Sequence, residues 1–110
     1  MAILQKTLQG DFDNILAKVE NIVLEGSLSA SLEERADYRT ATGRCSVRVF
    51  ERYSYTGGNR VSMSVTLFQS GDTVQLCAIT SGGSQAMFWK VNTWGEETFL
   101  DTLKDALRHM

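Results

Sequence analysis

The stretch Cys45-Ser46-Val47-Arg48-Val49-Phe50-Glu51-Arg52-Tyr53-Ser54-Tyr55 alternates with period two. Cys45, Val47, Val49, Tyr53 and Tyr55 hold one phase; Ser46, Arg48, Phe50, Arg52 and Ser54 hold the other. Successive side chains of a strand point to opposite faces of its sheet, so this pattern predicts a half-buried strand. Read by hydropathy, the first phase faces the core and the arginine phase faces away.

Working outward, the same period recurs on both sides. Leu28, Ala30, Leu32, Ala36 and Tyr38 alternate with polar residues before it, and Val61, Met63, Val65 and Leu67 do so after it. Further strands are expected near 73–80 and 85–91. Three turns join them with apolar residues opposite apolar ones. Gly57-Gly58-Asn59 sets Tyr53 opposite Met63, Ser70-Gly71 sets Leu67 opposite Val74, and Gly82-Gly83 sets Ala78 opposite Met87. Cys45 then falls on the inner face and Cys77 on the outer, so no disulfide is expected between them.

At the chain's ends the period becomes helical. After a short strand at 2–8, Phe12, Ile15, Leu16, Val19, Ile22 and Val23 form one stripe of an amphipathic helix opened by Gly10-Asp11 and ended at Gly26. Thr93 and Glu96 have capping-box spacing, and Phe99, Leu100, Leu103, Ala106 and Leu107 follow as a second stripe. The expected fold is α+β: strand, helix, five-stranded antiparallel meander, helix. The helices pack on one sheet face, an arrangement loosely similar to helix-grip folds. The first strand is expected parallel to a neighbour at an edge, and both helices are expected to end at the glycine-turn end of the sheet.

Composition narrows the function. The 110 residues fit a single domain able to bury a core. No apolar run approaches the ~20 residues of a membrane span, and no signal-peptide pattern opens the chain, so a cytoplasmic protein is expected. The net charge of −2 disfavours a dedicated nucleic-acid binder. No nucleotide fingerprint, phosphate loop, catalytic triad or metal cluster is present, and no cofactor is expected.

Six of the seven arginines, Arg35, Arg39, Arg44, Arg48, Arg52 and Arg60, share one phase. On the outer face they predict a basic surface beside a glycine-turn end, with Arg35, Arg48, Arg52, Arg60, Tyr53, Asn59, Ser84 and Gln85 as candidate partner-binding residues. An anionic ligand or an acidic protein suits such a surface, because guanidinium holds carboxylate and phosphate bidentately. Arg48→Glu with Arg52→Glu is then expected to abolish capture without changing stability. The later strands carry Phe68, Cys77, Ile79, Ala86 and Phe88 on that same face, which predicts a homodimer interface. An alternative is a small-ligand carrier or modest enzyme. In it Glu34 and Glu51, in phase with the core beside Tyr53, line an inner cavity and do acid–base work.

The segments Phe50-Glu51-Arg52-Tyr53-Ser54-Tyr55-Thr56-Gly57-Gly58-Asn59-Arg60, Ala78-Ile79-Thr80-Ser81-Gly82-Gly83-Ser84-Gln85-Ala86 and Asn92-Thr93-Trp94-Gly95-Glu96 resemble a family of small uncharacterised bacterial proteins, classed as a domain of unknown function. The resemblance spans nearly the whole chain. It implies a bacterial single-domain protein and no activity or site residues.

Overall fold

A computed structural model describes residues 1–53, 60–82 and 99–108. The chain runs β1 (Ala2–Gln9), α1 (Phe12–Glu25), β2 (Ser31–Arg39), β3 (Gly43–Tyr53), β4 (Arg60–Ser70) and β5 (Thr73–Gly82). A second helical segment covers 99–106. The strands form one five-stranded sheet in the order β1-β5-β4-β3-β2. The architecture is α+β, in the order strand, helix, meander, helix. The expected strand near 85–91, the turns through Asn59 and Gly83, the Thr93–Glu96 cap and both tryptophans lie outside the described residues.

Helix α1 forms because its stripe has somewhere to go. Phe12, Ile15, Val19 and Val23 are buried, and they share one core with Val61, Met63, Val65 and Leu67 of β4, Val74, Leu76 and Ala78 of β5, and Leu8 of β1. Asp11 caps the helix: its Oδ2 accepts from the Asn14 amide at 3.1 Å. Gly26 closes it, its N–H donating to Ile22 O at 3.0 Å. The second helix adds Phe99, Leu100, Leu103 and Leu107 to that core, while Ala106 stays exposed. Lys6 points inward from β1 and donates from Nζ to Leu107 O at 2.5 Å. A cation there complements the partial negative charge of a helix C-terminus.

Four expectations about the strands are corrected. β1 pairs antiparallel, not parallel, with β5, Leu8 lying opposite Val74. The β4–β5 turn is Gly71-Asp72, not Ser70-Gly71: Ser70 pairs with Thr73, and Gly71 takes φ +74°, which a glycine adopts without strain. This shift of two residues leaves every side chain on its expected face. The β3–β4 register differs by an odd number: Phe50 lies opposite Met63 and Arg52 opposite Val61, where Tyr53 was expected opposite Met63. An odd shift turns the whole strand over. Phe50 therefore enters the core with no exposed surface, and Cys45, Val47 and Val49 face outward. Cys45 and Cys77 are both free thiols, as expected, but they share the outer face.

The fourth correction concerns β2. Tyr38 pairs with Cys45 and Arg35 with Arg48. A bulge between Leu32 and Glu34 makes Glu33 the extra residue, so Leu32 pairs with Phe50 rather than Glu51. Leu32 consequently packs on the core while Tyr38, two-thirds exposed at 65%, lies on the outer face. The second helix also runs opposite to expectation. Phe99 sits by Arg52 at the sheet end where α1 finishes, and Leu107 reaches Lys6.

Candidate functional site

The inward turn of β3 puts arginines under α1, and α1 meets them with carboxylates. Asp13 and Glu20 are seven residues apart, close to two helical turns, so they share a helix flank. Arg44 Nη2 donates to Asp13 Oδ1 at 2.7 Å, and its guanidinium lies 4.2 Å above the Phe12 ring. Arg48 Nε donates to Glu20 Oε2 at 2.6 Å and Nη1 contacts Asp37 Oδ1 at 3.0 Å. Nη1 also reaches Val47 O at 3.0 Å and Ala36 O at 3.4 Å. Ser46 Oγ donates to the same Asp37 oxygen at 2.6 Å. Arg52 is 2% exposed, its guanidinium 4.5 Å from the centre of the Phe99 ring.

These contacts fix the charge states. Burial works against the charged form of Arg48, but its bonds to Glu20 and Asp37 outweigh burial and raise its pKa. The Ser46 hydroxyl, then the Arg48 guanidinium, hold the Asp37 carboxyl below the usual carboxylate range. The Arg44 hydrogen bond does the same for Asp13. The network is a charged seam between helix and sheet, neutralised where it is buried. It ties α1 to the sheet.

The candidate residues are therefore dispersed. Arg48 and Arg52 are buried beneath the helices, which corrects their expected place on an exposed basic face. Arg35 and Arg39 share the inner phase but lie exposed on the edge strand β2, and neither has an ion pair among the described residues. Arg60 is on the outer face, paired with Glu51 and, at 3.6 Å, with Glu33. Tyr53 is exposed, 5.8 Å from the Arg60 guanidinium. The six arginines do not share a face. Asn59, Ser84 and Gln85 lie outside the described residues. The inner acid–base pair is corrected as well. Glu34 is exposed on the outer face, and Glu51, also outward, accepts from Ser62 Oγ at 3.1 Å. No group of three or more potential metal ligands occurs among the described residues.

What remains open is the outer face itself. Its rows, read across β2, β3, β4 and β5, are Tyr38-Cys45-Phe68-Gln75, Ala36-Val47-Thr66-Cys77 and Glu34-Val49-Ser64-Ile79. Glu34 is the single charge in these rows. Tyr38, Phe68 and Ile79 are large and exposed, as is Ile3 beside Ile79 on β1. A groove of about 210 Å³ runs between Tyr38, Cys45 and Phe68 toward the Thr40–Gly43 turn. Phe68, Cys77 and Ile79 were legible as outward; Tyr38, Val47 and Val49 were assigned to the core. The signal for the reversal was Phe50, a large apolar residue in the arginine phase.

Among the described residues, a single antiparallel sheet with both helices on one face, and a largely apolar band with one charge on the other, defines the class of domain. The chain belongs to the Family of unknown function (DUF6054), whose model matches residues 1–110. No curated protein matches it.

Proposed function

We propose that the chain is a non-enzymatic protein-interaction module that works through the outer face of its sheet. The observation that carries this reading is the contrast between faces. The inner face is covered by both helices, and Arg44 and Arg48 there are paired with carboxylates. The outer face leaves Ile3, Tyr38, Phe68 and Ile79 exposed around half-buried Val47 and Val49. Contiguous exposed apolar surface of this kind characterises interaction sites. The low charge of the band favours a protein surface over a free anion, and this replaces the arginine-based reading. Two free thiols suit a reducing compartment, which supports a bacterial cytoplasmic setting.

A photo-crosslinking residue placed at Phe68 tests this in the native cell. The reading predicts a discrete adduct at Phe68, absent when the same residue replaces exposed Lys18 on α1, and lost when Tyr38→Glu and Ile79→Glu are added. Equal labelling at Phe68 and Lys18 contradicts it.

A further inference from the structure

We infer that the sheet end formed by the β2–β3 and β4–β5 turns binds a phosphate group. The last inner-phase row there is Arg39-Arg44-Gln69, read across β2, β3 and β4. These three residues line a cavity of about 420 Å³, together with Thr40, Thr42 and Gly71. That volume falls within the range of small-molecule sites, roughly 300–1,000 Å³. No aromatic or large apolar side chain lines the cavity, so it suits an ionic or hydroxylated ligand rather than a ring that stacks. Thr40 N–H donates to Gly43 O at 2.9 Å, which makes the next pair along, Arg39 and Arg44, a non-hydrogen-bonded one. Opposing side chains are closest in such pairs, and like charges directly opposite are unfavourable. An anion between the two guanidiniums offsets that cost.

Three nearby carboxylates are committed elsewhere. Asp13 Oδ1 is bonded to Arg44, and its carboxyl feels Arg39 without bonding it. Asp11 caps α1 through the Asn14 amide, and Asp37 is held by Ser46 and Arg48. A guanidinium has five N–H donors and no acceptor. Arg44 gives one of them to Asp13, and Arg39 has no ion pair among the described residues. Gln69 adds an amide that can donate. Two guanidinium forks on one cavity match the oxygens of a phosphate, which accepts bidentately from each. Asp72, beside Gly71 on the β4–β5 turn, opposes the anion and gives the site a second testable sign. Tyr53, Arg60, Gly82 and Phe99, the described residues next to 54–59 and 83–98, all sit at the opposite end of the sheet. The site is also separate from the outer face, so either can fail its test without the other.

Titration with inorganic phosphate in a chloride buffer, followed by amide NMR shifts, tests this. A Kd of roughly 1 mM is expected, with the largest shifts at residues 40–44 and 69–72. Arg39→Gln should raise the Kd about tenfold. Arg39 is exposed, so its thermal midpoint should stay at the parent value. Arg35→Gln, which removes an exposed arginine of the same strand outside the cavity, should leave the Kd unchanged. Asp72→Asn should lower it about twofold. Glycerol phosphate is titrated in parallel. A lower Kd than that of phosphate identifies a phosphorylated compound as the ligand, and an equal or higher one identifies the free ion. Shifts that do not saturate below about 50 mM phosphate overturn the proposal. So does a Kd that Arg39→Gln leaves unchanged, that Arg35→Gln raises as much, or that Asp72→Asn raises.

Discussion

Arg48 Nε lies 2.6 Å from Glu20 Oε2, joining the middle of β3 to the middle of α1. The guanidinium is almost completely covered, with 6% of its side chain exposed, while Glu20 keeps 26%. A buried cation held by partly solvated carboxylates is costly to disrupt from the buried side and cheaper from the other. That asymmetry gives the contact a measurable signature.

Arg48→Met should cost about 2–3 kcal/mol, because it removes the buried guanidinium's bonds to Glu20, Asp37 and the Val47 and Ala36 carbonyls together. Glu20→Gln keeps the shape and should cost about 1 kcal/mol. The double variant should cost less than the sum, with a coupling of about 1 kcal/mol in urea unfolding. Strict additivity means that the two side chains do not interact in solution.

Acid should loosen the same seam. Asp37 and Asp13 both titrate below the usual carboxylate range in the folded protein. A depressed folded pKa contributes stability that is present above the unfolded value, about 3.9, and is lost as pH falls through the folded one. The thermal midpoint should therefore hold steady down to about pH 5 and decline below about pH 4. Asp37→Asn should flatten that decline; an unchanged slope would show that Asp37 does not contribute to it.

Gly26 is fixed by space rather than by backbone conformation. Its φ is −74°, open to any residue, but a Cβ there would collide with Thr102 Cγ2 on the second helix. Gly26→Ala should destabilise by about 1–2 kcal/mol through overpacking. Thr102→Ser, which removes the methyl and keeps the hydroxyl, should recover part of the loss. Destabilisation that Thr102→Ser leaves untouched would assign the cost to the helix end instead.

The elements themselves were legible. The α1 stripe and the alternation of β2 to β5 follow from spacing, because each buries one regular face. The orientation of β3 was not. Both of its faces carry β-branched or aromatic residues, so hydropathy favoured Val47 and Val49 inside. The arginines go inside instead because α1 crosses there with Asp13 and Glu20 on its flank, and a helix–sheet seam accepts a guanidinium that finds carboxylates. The acidic spacing on α1 was readable; its position over β3 depends on tertiary packing. The bulge at Glu33 hid Tyr38 in the same way, since one extra residue exchanges the phases of β2 on either side of it. The partner-binding reading of the arginines fell with the β3 register, while the outward Phe68, Cys77 and Ile79 survived because an even slip preserves faces.

The most direct test of the face assignment compares the thermal midpoints of Arg48→Glu and Phe68→Glu side by side. Arg48 is predicted to hold the fold together and Phe68 to face a partner. Arg48→Glu should lower the midpoint by about 10 °C or more, and Phe68→Glu should leave it within about 2 °C of the parent. A stable Arg48→Glu protein beside a melted Phe68→Glu protein would contradict the account.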